Sequence, residues 1–215
     1  MSLTLIIGNK NYSSWSLRPW LAMKQAGLAF DEIRVLLNRP DTRAQILRYT
    51  PSGRVPCLVD GALAVWDSMA ISEYVNEQYA AGSLWPRQAA QRARARSIAA
   101  EMHSGFAALR THLPMDIRER KPDRGAMAME RPDVDAEISR IQSIWTDCLS
   151  ASGGPFLFGA FSIADAFYAP VVTRFRTYAV ALPAHLAAYS DAVFALPAMQ
   201  EWVAAAAAEP EALDD

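Results

Sequence analysis

Near the amino terminus, residues 11–19 read NYSSWSLRP. Because proline has no backbone N–H, Pro19 fits only in the first turn of a helix, where the N–H groups lack intrahelical partners. The sequence therefore predicts a helix from about Trp15 to Ala26, and Gly27 follows where a glycine commonly ends a helix. The serines of this stretch lie at the amino-terminal end of that helix, where N–H groups and the helix dipole stabilise an anion.

These serines allow two interpretations. A serine at this position commonly caps the helix by accepting a hydrogen bond from a backbone N–H. A hydroxyl beside a helix amino terminus can also donate to a bound thiolate, which lowers the pKa of that thiol. The stretch taken alone leaves both interpretations open.

Around this stretch, the first 80 residues alternate strand-like and helix-like segments. Asp60-Gly61 is a dipeptide typical of a two-residue β-hairpin. The predicted elements are strand 3–7, helix 15–26, strand 32–37, a short helix 44–49, strands 57–59 and 63–66, and helix 68–79. This order indicates a sheet whose first two strands are parallel, joined by a crossover helix and covered by helices.

Strand-like patterns stop after residue 80. Residues 80–88 are typical of a linker, and residues 122–132 are polar enough to predict a loop. The predicted helices are 89–113, 132–150, 162–178, 183–190 and 197–208. We therefore expect two domains, a mixed α/β domain over residues 1–80 and an all-helical domain over residues 89–215.

Composition narrows the class of protein. Of the 215 residues, 52% are hydrophobic and 20% are charged, which favours a folded core over disorder. A formal net charge of -2 offers nothing to attract a polyanion, so we expect no nucleic-acid partner. The two cysteines form no CxxC motif and no cluster with histidine, so neither a disulfide framework nor a metal site is predicted. Reduced cysteines without a signal-peptide or membrane-span pattern favour a cytoplasmic protein that does not enter the membrane.

A second motif, PSGRVPCL at residues 51–58, places a proline where a strand begins. Pro56 cannot donate to a sheet ladder, so it belongs at the start of the strand. If the Val55–Pro56 bond is cis, the N–H and C=O of Val55 can point outward and pair with an extended peptide. A trans bond is the commoner state of a proline, so this interpretation also stays open.

Two further motifs open helices. Asp67 and Ser68 follow the hairpin, where they can cap the next helix or receive the ammonium and carboxylate of an amino-acid head group. Ser162 and Asp165 have the spacing of a capping box, with Asp in the place that Glu or Gln usually takes. We interpret this last pair as structural.

Together, the order and spacing of these four motifs resemble those of the glutathione transferase family, especially its zeta-like and bacterial serine-type members. Residues 13–18, SSWSLR, are similar to the family's Ser-Ser-Cys-Ser-x-Arg motif, with Trp15 at the Cys position. The resemblance extends over most of the chain. It implies a thioredoxin-like α/β domain that binds glutathione, followed by an all-α domain.

The resemblance also implies which residue activates the thiol of glutathione. Ser13 is the implied hydroxyl, Ser14 is the runner-up, and Tyr12 is a weaker candidate. A redox role like that of glutaredoxins is disfavoured, because no cysteine precedes the first helix.

For the rest of the tripeptide, the resemblance implies two binding elements. Val55 and Pro56 match the cis-proline segment that binds the backbone of glutathione's cysteine. Asp67 and Ser68 match the pair that holds the γ-glutamyl end. Glutathione is then a cosubstrate, and no metal is implied.

The implied activity is attack of the glutathione thiolate on a small hydrophobic electrophile in the cleft between the domains. Candidate residues for the wall of that cleft are His103, Phe106, Arg110, and Arg174 or Arg176. The alternatives are a glutathione-dependent isomerase like maleylacetoacetate isomerase, a glutathione-dependent peroxidase, and a non-catalytic binding protein that kept the fold. The resemblance also implies a homodimer.

Overall fold

A computed structural model gives the architecture of residues 3–212. The first part consists of β1 (Leu3–Ile7), α1 (Ser14–Gln25), β2 (Phe30–Arg34), α2 (Thr42–Ile46), β3 (Cys57–Asp60), β4 (Leu63–Val65) and α3 (Ser68–Gln78). The second part consists of α4 (Ala89–Ser104), α5 (Ala107–His112), α6 (Pro122–Met129), α7 (Pro132–Ser152), α8 (Ile163–Thr177), α9 (Ala184–Ala195) and α10 (Pro197–Ala208). The predicted α/β thioredoxin-like part followed by an all-α part is confirmed. The domain boundaries, 1–80 and 89–215, stay a prediction.

The four strands form one mixed sheet in the order β2-β1-β3-β4. β1 runs parallel to β2 and antiparallel to β3, where Leu5 lies beside Leu58. Successive side chains of a strand face opposite sides of the sheet. Leu5 accordingly joins the main core with α1 and α3, whereas Ile6 packs in a smaller core with Ile46 of α2. Helices therefore cover both faces of the sheet.

The bounds of several elements differ from the prediction. The second strand was predicted at 32–37 and lies at Phe30–Arg34, because its register follows β1, whose last residue, Ile7, pairs with Arg34. The short helix predicted at 44–49 is α2, Thr42–Ile46. The helix predicted at 183–190 continues to Ala195.

The long helix predicted at 89–113 is two helices, α4 and α5. The break falls at Phe106, whose backbone takes the left-handed conformation with φ of +59°. Glu137 of α7 accepts hydrogen bonds from the backbone N–H groups of Ala108 (3.3 Å) and Leu109 (2.7 Å). A side chain distant in sequence thus supplies the cap of α5, which the local sequence does not show.

The loop predicted at 122–132 is wrong, because Pro122–Met129 form α6. Pro122 at the first helical position and Asp123 in the first turn both favour a helix start. Gly125 packs against the backbone of Tyr178, so closely that a Cβ at this glycine would lie 2.0 Å from the Tyr178 carbonyl oxygen. This close contact stabilises α6, which the polar composition of residues 122–132 does not predict.

The helix α8 is the centre of the helical part, and nearly all of its side chains are buried. Ser162 and Asp165 form the expected capping box at its start. Asp165 is fully buried and accepts hydrogen bonds from the N–H groups of Ser162 (2.8 Å) and Leu157 (3.0 Å). Burial raises the pKa of Asp165 to about 6. Since α8 also packs against α1, the core of the helical part supports the helix that begins at the serines.

No helix within residues 3–212 has the length and apolar character needed to cross a bilayer.

Candidate active site

Ser13 is the N-cap of α1 and is almost fully buried. Its Oγ accepts a long hydrogen bond from the Ser16 N–H (3.4 Å) and lies 2.7 Å from the Ser16 Oγ. Ser16 in turn accepts from the N–H of Gly8 at 3.1 Å, which ties the end of β1 to the start of α1. The capping interpretation of Ser13 therefore holds, and its hydroxyl belongs to a local network.

Ser14 has a different environment. Its Oγ accepts a hydrogen bond from Nη2 of Arg174 on α8, at 3.3 Å. It also lines a cavity of about 680 Å³ between α1 and the helical part, together with Trp15, Arg110 and Arg174. We call this space the arginine cavity. Ser14 thus presents its hydroxyl to an open site beside a guanidinium.

A second cavity, of about 690 Å³, brings together all four residues predicted to bind the tripeptide: Val55, Pro56, Asp67 and Ser68. We call this space the cis-proline cavity, because the Val55–Pro56 peptide bond is cis. The N–H and C=O of Val55 make no hydrogen bond within the described part of the chain. The cavity is also lined by Trp15, which borders the arginine cavity too, so the indole lies between the two spaces.

Asp67 and Ser68 form one end of the cis-proline cavity. Oδ1 of Asp67 caps α3 by accepting from the N–H groups of Met69 (3.0 Å) and Ala70 (3.3 Å). Oδ2 of Asp67 lies 2.9 Å from Nε2 of His103 on α4. The Oγ of Ser68 is buried and has no hydrogen-bond partner among residues 3–212. Capping therefore occupies one oxygen of Asp67 and does not use the Ser68 hydroxyl.

Three arginines concentrate positive charge beside Trp15. Arg18 is fully buried, with its guanidinium carbon 4.3 Å from the centre of the Trp15 ring and 5.0 Å from that of Phe167. The guanidinium carbon of Arg110 lies 4.7 Å from the centre of the Trp15 ring. Arg174 of α8 is buried and reaches Ser14 at the start of α1. Within residues 3–212, none of the three donates a hydrogen bond to a carboxylate.

Burial and mutual repulsion perturb these arginines. Burial lowers the pKa of Arg18 well below its ordinary value, and Arg110 and Arg174 add to the effect. Burial, with repulsion from Arg110, lowers the pKa of Arg174 to about 9. A buried cation without a paired anion is costly, so this cluster favours the binding of a negatively charged group.

The structure separates the residues that were predicted to form the wall of the cleft. His103 lines the cis-proline cavity, whereas Arg110 and Arg174 line the arginine cavity. Phe106 lies in the hydrophobic core. Arg176 points away from the cleft, since it pairs with the exposed Asp191 and lies over the ring of Phe194.

Sequence reasoning missed Glu209. Its buried carboxylate accepts from the N–H groups of Lys10 (2.7 Å) and Asn11 (3.1 Å), in the loop between β1 and α1. Arg34 lies 3.1 Å from the same carboxylate. The segment after α10 thereby fixes the loop that leads to Ser13. Nothing in the local sequence around Glu209 indicates this contact, which joins residues almost 200 positions apart.

Comparisons with known proteins find relatives of both parts of the chain. A family model of the glutathione S-transferase N-terminal domain matches residues 12–78, and one of the C-terminal domain matches residues 87–205. A probable maleylacetoacetate isomerase of Vibrio cholerae is 34% identical over 108 residues, which are 47% of this chain and 50% of that protein. This chain thus spans half or less of the length of the curated relatives that it matches.

Two solved structures share the fold over nearly their whole length. A theta class glutathione S-transferase from Xanthomonas axonopodis pv. citri, with glutathione bound, has 27% identity and a TM-score of 0.65, and the match covers 94% of this chain and 97% of that one. A maleyl pyruvate isomerase, a bacterial glutathione S-transferase in the zeta class, has 24% identity and a TM-score of 0.73, with 98% and 100% covered. Since the two family models together match most of the sequence, the chain belongs to the glutathione S-transferase family.

Proposed function

We propose that this protein is a glutathione-dependent enzyme that binds glutathione in the cis-proline cavity. The cysteine backbone of the tripeptide pairs with the N–H and C=O of Val55 as an added strand. The ammonium of the γ-glutamyl end pairs with Asp67, and its carboxylate is bound by the hydroxyl and the backbone N–H of Ser68 at the start of α3. The sulfur then lies near Trp15 and the start of α1, facing the arginine cavity.

One observation carries the proposal: the segment at Val55 and the segment at Asp67 and Ser68 meet in one cavity with the groups that a tripeptide needs. Val55 has an unpaired backbone N–H and C=O, Ser68 has a buried hydroxyl without a partner, and Asp67 has one oxygen outside the cap. Each group is complementary to a different part of glutathione. The related Xanthomonas structure contains bound glutathione, which supports glutathione as the ligand of this cavity.

The geometry favours Ser14 over Ser13 as the hydroxyl that meets the thiolate. Ser14 faces a cavity, and its oxygen accepts from Arg174, which leaves its own proton for donation to sulfur. Ser13, the residue that the family resemblance implies, has its Oγ 2.7 Å from the Ser16 Oγ and lines neither cavity. Either serine lies beside the amino terminus of α1 and the arginine cluster. The helix terminus and the cluster both stabilise an anionic sulfur.

In the proposed transfer, the thiol of glutathione loses its proton to solvent and the sulfur electron pair forms a bond to an electrophilic carbon. The leaving group departs with its bonding electrons. The protein holds the two reactants together and stabilises the thiolate, so it needs no group of its own to form a covalent bond.

A second candidate is a glutathione-dependent isomerisation of a substrate that carries an acid group. The arginine cavity has four cationic lining residues, Arg110, Arg118, Lys121 and Arg174, against the acids Asp116 and Glu119. This excess of positive charge favours a carboxylate-bearing substrate over the purely hydrophobic electrophile that the sequence led us to expect. The similarity to a probable maleylacetoacetate isomerase agrees with that chemistry.

Two measurements test the proposal. Calorimetry should detect glutathione binding, and a chlorodinitrobenzene assay should detect conjugation with release of chloride. A maleyl substrate with a free carboxylate, assayed by its cis–trans conversion, distinguishes the second candidate. Binding without turnover of either substrate would make the chain a binding protein, and absence of binding would overturn the proposal.

We also propose that the protein is a homodimer that works in the cytoplasm. Leu63, Trp66 and Tyr79 near the edge of the sheet are exposed apolar residues, which is compatible with a partner surface there. Light scattering at micromolar concentration should give twice the mass of the chain, and a monomer mass would contradict the dimer.

A further inference from the structure

His103 connects the two parts of the molecule at the cis-proline cavity. It belongs to α4, and its Nε2 lies within hydrogen-bond distance of Oδ2 of Asp67 at the start of α3, at 2.9 Å. The imidazole meets the Trp15 indole edge-on, with ring centres 5.2 Å apart, and lies 6.0 Å from the ring of Phe167. Asp67 at the start of α3, Trp15 of α1 and Phe167 of α8 therefore fix the orientation of this ring.

The contact with Asp67 determines the tautomer of the neutral His103 ring. An ionised carboxylate only accepts hydrogen bonds, so Nε2 must carry the proton that faces Asp67. Burial lowers the pKa of His103, and Arg18 and Arg110 lower it further, although Asp67 acts in the opposite direction. The ring is therefore neutral near pH 7, and its Nδ1 is a buried acceptor without a partner in the described part of the chain.

We propose that His103 is a positioning residue for the γ-glutamyl group of glutathione, and that its protonation weakens glutathione binding. This inference rests on the proposed function. The neutral imidazole orients Oδ2 of Asp67, the oxygen that does not cap α3, toward the ligand ammonium. When the ring becomes imidazolium, its charge competes with that ammonium for the same carboxylate.

The charges around His103 favour this competition. The groups that face the ring are Asp67 from α3, Arg18 from α1 and Arg110 from α5, with Trp15 and Phe167 as uncharged walls. Asp67 is the only anion among these five residues. A third cation beside this carboxylate would weaken the attraction that the ammonium of the ligand finds at Asp67. By linkage, the bound ammonium must lower the pKa of His103, so ligand affinity falls as the pH drops below the ordinary histidine range.

The test uses S-methylglutathione, because its thioether cannot lose a proton. The pH dependence of binding then contains no contribution from a ligand thiol. Calorimetry from about pH 7.5 to about pH 5.5 covers the range in which histidine titrates. Asp165, whose pKa of about 6 also falls in this range, lines neither cavity and is present in every variant compared. The variants are His103→Phe, which removes the donor, and His103→Gln, which keeps an N–H near the position of Nε2. His185→Gln is the matched control, since His185 is on α9 and contacts Thr146 away from both cavities.

For wild type and His185→Gln, the dissociation constant should rise several-fold as the pH falls. His103→Phe should weaken binding about tenfold at pH 7.5, as expected for the loss of one charge-assisted hydrogen bond. His103→Gln should bind within about twofold of wild type at pH 7.5 and show no loss at acid pH, because it cannot take up a proton.

A second measurement needs no variant. The chain has three histidines, so their ring protons can be followed by NMR during a pH titration. The pKa of His103 should fall when S-methylglutathione saturates the protein. An unchanged pKa, or a His103→Phe variant with wild-type affinity and a wild-type pH profile, would overturn the inference while leaving the glutathione site in place. A wild-type protein that does not bind S-methylglutathione at any pH would overturn both.

Discussion

The cis-proline cavity and the arginine cavity adjoin at Trp15, yet the groups that line them differ. The first offers the backbone of Val55 and the side chains of Asp67 and Ser68, and Arg43 and Arg54 also line it. The second uses long cationic side chains from α5, α8 and the loop before α6. The first is suited to one fixed ligand, whereas the second can change its substrate by changing side chains.

The largest expected effect separates the two serines at the boundary of these cavities. Ser14→Ala should lower the turnover number by about 10²–10³, the usual loss for one donor to a developing anion. Ser13→Ala should lower stability by about 0.5–2 kcal/mol, as expected for a lost N-cap. Thiolate absorbance of bound glutathione, followed against pH, should show a raised thiol pKa only in the variant that lacks the activating hydroxyl. The opposite distribution of effects would assign the role to Ser13.

The next effect belongs to the cis-proline cavity alone. Asp67→Asn should retain the cap of α3 but lose the charged partner of the γ-glutamyl ammonium. The expected cost to glutathione binding is about 1.5–3 kcal/mol, with a much smaller change in turnover number. Asp60→Asn is the matched control, since Asp60 lies in the hairpin and bonds to Tyr74. Calorimetry that gives Asp67→Asn the affinity of wild type would remove Asp67 from the site.

A smaller effect should be confined to the arginine cavity. Arg110→Met keeps much of the side-chain length but removes the charge, so the KM for a carboxylate-bearing electrophile should rise about tenfold. The KM for a neutral electrophile should stay near that of wild type. Arg94→Met is the control, because Arg94 is exposed and pairs with Asp147 outside both cavities. Equal losses for the two electrophiles would show that the arginine stabilises the structure and does not select the substrate.

The smallest effect on activity is expected away from both cavities. Asp165→Asn should lower the free energy of unfolding by about 0.5–2 kcal/mol through the weakened cap, with little change in either substrate's KM. The carboxyl of Asp165 has a folded-state pKa of about 6, above its ordinary value, so the folded state binds more protons than the unfolded state between these values. Its contribution to stability is therefore present at low pH and lost as the pH rises from about 4 to about 6.

Chemical denaturation at several pH values measures this contribution. The slope of the unfolding free energy against pH should differ between wild type and Asp165→Asn in that window. Identical slopes would show that the carboxyl titrates as it does in water.

The sequence predicted the cis-proline cavity better than the arginine cavity, for a physical reason. The Asp60-Gly61 turn and the Asp67-Ser68 cap act on their immediate neighbours, so their structural effect is visible in a short segment. The placement of Pro19 in the first turn was wrong, because α1 begins at Ser14 and Pro19 is its sixth residue. The helical class of the second part followed from periodicity alone. The β3–β4 hairpin alone brings Asp67 back beside Val55, so no contact between distant segments had to be predicted.

What sequence reasoning missed depends on contacts between distant segments. The start of α5 is capped by Glu137, and α6 rests on a close approach of Gly125 to Tyr178. Arg18 lies between apolar positions of α1, yet its burial depends on Phe167 of α8, which the local sequence does not reveal. Glu209 likewise binds the loop before α1 from the other end of the described chain.

The central claim is that glutathione occupies the cis-proline cavity with its sulfur toward the arginine cavity, and a crystal structure with glutathione tests it most directly. We predict that the cysteine backbone of the tripeptide pairs with the N–H and C=O of Val55, and that the γ-glutamyl end contacts Asp67 and Ser68. The sulfur should lie about 3 Å from the Oγ of Ser14 or Ser13. Glutathione bound through its carboxylates to Arg110 and Arg174, with Val55 still unpaired, would contradict the account.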